Sequence, residues 1–228
     1  MNSPPPIHPV RRVGLTTRIT SASGYEEPRD SLAQNWANFM SAALPEAGWM
    51  AIPNTGGSVL KLLETWELEA LILTGGDDIG ETPLRDETER ALLSHFIEHG
   101  LPVFGVCRGM QIIQTEFGGE LRPCAPDDHV ATRHTVTFTQ DGGLPDTGFT
   151  VASVNSFHTS AIDLAGLADG LAPLAVTNDG FVEAFRASDT PLVGVMWHPE
   201  REVIASELDL SLLRPLFGYA PGAFNSDQ

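Results

Sequence analysis

Val103-Phe104-Gly105-Val106-Cys107-Arg108-Gly109-Met110-Gln111 is the stretch on which the reading of this chain turns. A short apolar strand runs into Gly-x-Cys-x-Gly, and Ile112, Ile113 and Phe117 then continue at helical spacing until Gly118-Gly119 stops them. A strand that bends sharply into a helix around one reactive side chain is a nucleophile elbow, here with cysteine in the place of serine. The bend brings backbone close on both sides, so small residues are needed at 105 and 109. The helix N-terminus then aims unpaired N–H groups and its positive dipole end at the sulfur, which favours thiolate. Burial as an inert small hydrophobe is the commoner fate of a free cysteine. The flanking glycines point instead to Cys107 as a nucleophile.

A thiolate nucleophile needs a base, and the base needs a group to orient it. Both occur in Gly194-Val195-Met196-Trp197-His198-Pro199-Glu200. Pro199 pushes His198 into an extended conformation, and residues two apart in extended chain face the same side. His198 and Glu200 are therefore expected to meet, the carboxylate fixing the imidazole tautomer. A third segment, Leu71-Ile72-Leu73-Thr74-Gly75-Gly76-Asp77-Asp78, is an apolar strand ending in Gly-Gly. It exposes backbone N–H groups at the carboxyl edge of a sheet, where α/β proteins bind ligands. One of these, with the N–H of Arg108, would form an oxyanion hole. Asp77 and Asp78 lack the surrounding spacing of a metal site.

The rest of the chain fits this frame. Short apolar runs alternate with amphipathic stretches, the pattern of a parallel sheet covered by helices. Strands are expected at Arg12–Leu15, Trp49–Ile52, Ala70–Leu73 and Val103–Val106, and helices at Leu32–Leu44, Ser58–Trp66 and Asp86–His99. The second half is more β-like, at Thr135–Thr139, Val182–Arg186 and Leu192–Met196, with turns at Asp141-Gly142-Gly143 and Asn178-Asp179-Gly180. A closing helix is expected at Ser206–Phe217. The division is a flexible Pro-rich start (1–10), one domain (11–217) and a loose tail (218–228).

Composition excludes several functions. In 228 residues, 42% are hydrophobic and 19% charged, which is incompatible with disorder. Thirty acids against 13 bases give a net charge of −17, a surface that repels nucleic acid and anionic membranes. No apolar run is long enough to span a bilayer, and the first residues have no apolar signal core, so a cytoplasmic location is expected. Two cysteines, Cys107 and Cys124, do not make a disulfide framework. The one lysine, Lys61, sits in an apolar helix-like run rather than a phosphate-binding Gly-Lys-Ser/Thr loop.

Taken in this order, the motifs resemble the class I glutamine amidotransferase superfamily, and within it the γ-glutamyl hydrolase (peptidase C26) branch that contains γ-glutamyl-γ-aminobutyrate hydrolases. The resemblance rests on the elbow, on Val154-Asn155-Ser156-Phe157-His158 and on Trp197-His198-Pro199-Glu200. It implies a flavodoxin-like α/β fold, with a mostly parallel central sheet flanked by helices and a smaller antiparallel β element in the second half. It also implies a catalytic triad of Cys107, His198 and Glu200, with the backbones of Gly76 and Arg108 as oxyanion donors. Gly75, Gln111, Asn155, Ser156, Phe157 and His158 would line the substrate site. The implied reaction releases glutamate and an amine from a small γ-glutamyl conjugate through a glutamyl thioester, with no metal or organic cofactor. Arginine after the nucleophile is typical of this branch. Thr-Gly-Gly-Asp-Asp at 74–78 departs from the Pro-Gly-Ser type of loop in polyamine-pathway members, which leaves the identity of the amine open.

Two other readings share the triad: a glutaminase subunit feeding ammonia to a separate synthase partner, and hydrolysis of a nucleotide-activated γ-glutamyl amidate. A dienelactone-hydrolase type of enzyme also uses Gly-x-Cys-x-Gly, but there the acid precedes the histidine. A catalytically dead scaffold would not need the triad intact. A homodimer is common for such domains. Arg18, Arg29 and Arg133 are candidates for an anionic substrate head. His129 and His134, with Asp127 and Asp128, fit no common metal spacing and are read as a substrate-side loop. Cys124, between two prolines and with no base adjacent in sequence, is read as structural or exposed. His95 and His99 are placed on a helix surface, and Trp197 is read as a wall of the site.

Overall fold

A computed structural model describes residues 8–139 and 149–220. Nine strands form one sheet in the order β4 (Gly48–Ile52), β1 (Arg12–Thr16), β5 (Ala70–Leu73), β6 (Val103–Val106), β13 (Leu192–Val195), β12 (Val182–Ala187), β11 (Leu171–Thr177), β8 (Val130–Phe138) and β9 (Val151–Phe157). The first five are mutually parallel, and the remaining pairings are antiparallel. Two small pairs stand apart, β2 (Arg18–Ser21) with β3 (Pro28–Ser31) and β7 (Arg122–Pro123) with β10 (Ser160–Ala161).

The central strands are continuous apolar runs because both faces are covered. β5, β6 and β13 are buried at every position. On one face, Val13, Leu15, Ile72 and Phe104 pack against α1 (Asn35–Ala43) and α6 (Glu207–Leu216). On the other, Leu71, Leu73 and Val103 pack against α2 (Leu60–Trp66), α3 (Pro83–Glu98) and α4 (Arg108–Glu116). Alternation along β5 sends Ile72 to one core and its neighbours Leu71 and Leu73 to the other. A single helical turn, α5 (Pro126–His129), precedes β8. Among the described residues, no helix is long and apolar enough to cross a membrane.

The first-half strands lie where the apolar runs put them, to within a residue or two. The second half contains more sheet than its composition suggested. β8 spans Val130–Phe138 rather than Thr135–Thr139, and β9 and β11 have no counterpart among the expected strands. The antiparallel strands also extend the parallel sheet instead of forming a separate smaller element. β9 is exposed or half-buried over its first three residues, so it lacks the apolar run by which the parallel strands are recognised. α3 begins at Pro83, not Asp86, because proline at the first turn removes an N–H the helix would not have used. Val10, expected in a flexible start, is buried and donates its N–H to Phe217 O at 3.1 Å. Tyr219, expected in a loose tail, hydrogen-bonds through its hydroxyl to Val10 O. The turn expected at 141–143 lies outside the described residues.

The consequence for function is topological. β5, β6 and β13 are adjacent, and their carboxyl ends carry Gly75-Gly76, Cys107 and His198 respectively. Segments far apart in sequence thereby converge at one sheet edge. The elbow glycines are needed there: a Cβ on Gly105 would lie 2.5 Å from Ile113 Cδ1, and one on Gly109 would strike the Leu73 carbonyl. Gly109→Ala should therefore lift α4 from β5 and cost about 1–3 kcal/mol. The check is the urea unfolding midpoint, with an unchanged midpoint ruling out the close approach.

Candidate active site

Cys107 is the residue at which β6 turns into α4, and it takes φ 50°, ψ −104°. A non-glycine residue held at such an angle costs on the order of 1–3 kcal/mol, a strain that clusters at functional sites. The surroundings enforce it. Cys107 N donates to Val195 O at 2.8 Å, and Cys107 O accepts from Gln111 N at 3.0 Å. The residue is pinned between β13 and α4, with its sulfur at the helix N-terminus.

His198 follows β13 and is extended, with φ −111° and ψ 92°, as Pro199 requires. Its Nδ1 lies 2.7 Å from Glu200 Oε1, so Nδ1–H donates to the carboxylate. Asn155 clamps the His198 backbone from β9. Its Oδ1 accepts from His198 N at 2.9 Å, and its Nδ2 donates to His198 O at 2.9 Å. The preceding Trp197 is buried and donates Nε1–H to Asp209 Oδ1 at 2.7 Å, which makes it an anchor in the core more than a wall. The imidazole packs over Gly75, where a Cβ would come within 2.6 Å of His198 Cε1. His198 Nε2 is buried with no hydrogen bond formed. Burial lowers the proton affinity of this ring, but the adjacent Cys107 and Glu200 outweigh it and raise the pKa to about 9.

The loop after β5 is held from beneath by charges that the sequence reading did not identify. Arg85 is fully buried and donates Nη2–H to Thr74 O (2.9 Å) and Gly75 O (3.1 Å), while its Nε donates to Glu89 at 2.8 Å. Gly76 adopts φ 152°, and a Cβ there would collide with the Arg85 guanidinium. The Arg108 side chain turns away into the same network, paired with Asp86 and Glu89. Its backbone N–H, at the first turn of α4, is the part left for an oxyanion. The sequence signal was the i, i+4 pair Arg85 and Glu89 on an otherwise amphipathic helix.

Other expected residues are distributed differently. Gln111 is buried and donates to Ser160 O at 2.9 Å. Ser156 donates its hydroxyl to His129 O at 2.7 Å, and Asn155 is committed to the His198 backbone. The Phe157 ring stands edge-on to His198 at 5.7 Å. His158, expected in the pocket, is instead buried against Cys124 and Glu183, so Cys124 does have a histidine beside it. His129 likewise lies buried in that cluster and not on a substrate loop.

A cavity of about 340 Å³ opens on the His198 side, lined by Gly75, Gly76, Glu200, Arg18, Arg201 and Trp36 among others. Cys107 is nearly buried and is not part of this wall. Of the three candidate arginines, Arg18 reaches the cavity, paired with Asp77; Arg29 pairs with Glu27 on the β2–β3 hairpin and Arg133 with Glu202. Arg201, not singled out from sequence, sits 4.1 Å over the Phe157 ring.

The raised pKa fixes a sign. An ordinary histidine titrates near 6.5 and His198 near 9, so its stabilisation is complete below pH 6.5 and is lost as pH climbs through 9. The amount is up to about 3 kcal/mol. Glu200→Gln should bring the His198 titration, followed by proton NMR of the ring, down toward 6.5 and flatten the alkaline loss of stability. An unmoved titration would show that Glu200 does not govern the imidazole.

The Peptidase C26 family model matches residues 13–200. A γ-glutamyl-CDP-amidate hydrolase of Campylobacter jejuni is 29% identical over 199 residues, covering 83% of this chain and 90% of that protein. The glutamine-hydrolysing component of GMP synthase from Methanospirillum hungatei is 32% identical over 133 residues, covering 58% of this chain and 64% of that protein. Among solved structures, a glutamine amidotransferase of Thermotoga maritima superimposes with a TM-score of 0.60 at 14% identity, covering 85% of this chain and 77% of that one. The parallel sheet with its flanking helices is the class I glutamine amidotransferase fold, and the chain belongs to the Peptidase C26 family.

Proposed function

We propose that this chain is a cysteine-dependent hydrolase of γ-glutamyl amides. The observation that carries the reading is the convergence of Cys107, His198 and Glu200 at the carboxyl edge of three adjacent strands, beside the 340 Å³ cavity. Sγ of Cys107 attacks the γ-carbonyl carbon, and the carbonyl oxygen becomes an oxyanion that accepts from the N–H groups of Gly76 and Arg108. Loss of one such donor typically costs ~3–4 kcal/mol of barrier, which gives Arg85 a role in holding the loop. His198, protonated at neutral pH, donates its Nε2 proton to the departing amine as the C–N bond breaks. The glutamyl thioester is then attacked by water, His198 takes the water's proton, and the C–S bond breaks to release glutamate.

Because His198 protonates the leaving amine, the cavity on its side is the place for the leaving portion of the substrate. Arg18 and Arg201 line that cavity in a chain of net charge −17, which favours an anionic leaving portion. An acid of the γ-aminobutyrate type and a nucleotide-activated amidate both meet this requirement, and the Campylobacter relative acts on the second kind. The alternative, ammonia supply to a synthase partner, draws its support from the GMP synthase relatives. It would be favoured by glutaminase activity that appears only when such a partner is added.

The test is glutamate release from a panel of γ-glutamyl compounds with anionic and neutral leaving portions, using Cys107→Ala as the blank. Loss of a triad nucleophile is expected to reduce kcat by at least about 10⁴-fold. Release at the wild-type rate in Cys107→Ala would refute the mechanism. Arg18→Ala should raise KM about tenfold for anionic conjugates and leave neutral ones unchanged, one lost charge-assisted contact being worth ~1.5–3 kcal/mol. Equal effects on both classes would remove Arg18 from leaving-group recognition.

A further inference from the structure

Away from the elbow, a second group of reactive side chains is buried between β7, α5 and the end of β9. Cys124, His129 and His158 are each at most 9% exposed, and one donor atom from each lies within 4.8 Å of the others. Cys124 Sγ is 3.6 Å from His158 Nδ1. Two ligands of a tetrahedral zinc, with Zn–S near 2.3 Å and Zn–N near 2.0 Å, stand roughly 3.5 Å apart. His129 Nδ1 is buried and has no hydrogen-bond partner.

The outward nitrogens of both rings face carboxylates. His129 Nε2 is 3.1 Å from Asp179 Oδ2, and His158 Nε2 is 3.3 Å from Glu183 Oε1. A carboxylate behind each ligating imidazole is the usual outer arrangement of a zinc site, since it fixes the tautomer that leaves the inner nitrogen unprotonated. His158 Nδ1 is also 3.2 Å from Ser160 O, but that carbonyl accepts from Gln111 as well and keeps a partner if the ring turns its lone pair inward.

We propose that Cys124, His129 and His158 bind one zinc ion through Sγ and the two Nδ1 atoms. A thiolate with two imidazoles selects zinc over magnesium or calcium, which take oxygen ligands. Binding releases the Cys124 thiol proton and the His158 Nδ1 proton to solvent and leaves a fourth position for water. The ion cross-links three segments that otherwise meet through few hydrogen bonds. One of them, through Ser160 and Gln111, reaches the first turn of the helix behind Cys107. Its role is structural and independent of the γ-glutamyl reading.

The full chain, stripped with a chelator under reducing conditions, would be titrated with zinc chloride against a chromophoric competitor, and separately with cobalt chloride. One zinc per chain is expected, with a sulfur-to-cobalt charge-transfer band in the cobalt form. Cys107→Ala should retain both, which separates this site from the catalytic thiol. Cys124→Ser should weaken zinc at least a hundredfold and abolish the band. Asp179→Asn, on a half-exposed residue that the fold does not need, should weaken zinc about tenfold. It decides the matter if Cys124→Ser fails to fold. The proposal falls if the wild type takes up no zinc, if binding is lost in Cys107→Ala, or if neither Cys124→Ser nor Asp179→Asn alters the affinity.

Discussion

The site depends on one bend. Between the last residue of β6 and the first of α4 the chain must reverse from extended to helical within a single residue, and Cys107 does so at φ 50°. That conformation is unfavourable for a side-chain-bearing residue. It persists because the strands on either side are buried at every position and cannot yield, and because glycines at 105 and 109 let α4 rest on the Leu73 carbonyl and on β6. The core stabilises the strain, and the strain places a sulfur at a helix N-terminus beside the imidazole from β13.

The imidazole is constrained from several directions by groups with different physical roles. Asn155 fixes its backbone, Glu200 its tautomer, Gly75 makes room for the ring, and Asp209 anchors the neighbouring Trp197. The loop after β5 has a comparable support in Arg85, whose guanidinium takes up the Thr74 and Gly75 carbonyls while Glu89 balances its charge. Burying two arginines with two acids is expensive in desolvation and adds little net stability. Such a network is better understood as holding backbone amides in one orientation, a requirement of preorganised electrostatic catalysis.

The acidic surface and the cationic side of the cavity are complementary facts. A chain of net charge −17 raises the energy of any anion that approaches, so an anionic substrate needs local compensation. Arg18 and Arg201 supply it where the cavity opens, each already neighboured by an acid, Asp77 and Glu200, that keeps the guanidinium in place without a substrate.

The parallel half of the sheet and the core of the site were legible in the sequence because their signals are local. Continuous apolar runs mark strands buried on both faces, glycines flank the elbow, and Pro199 between His198 and Glu200 forces an extended geometry that brings the two side chains together. The antiparallel half was harder to read, since strands such as β9 show mixed burial and take their register from partners distant in sequence. What only the tertiary structure decided was which polar residues serve the substrate and which serve the scaffold. Asn155, Ser156 and His158 are neighbours along one strand and its end, yet one clamps the His198 backbone, one bonds the α5 turn and one joins a buried thiol and carboxylate. Their residue types carry donors and acceptors but not direction, and direction comes only from the strands and turns packed around them.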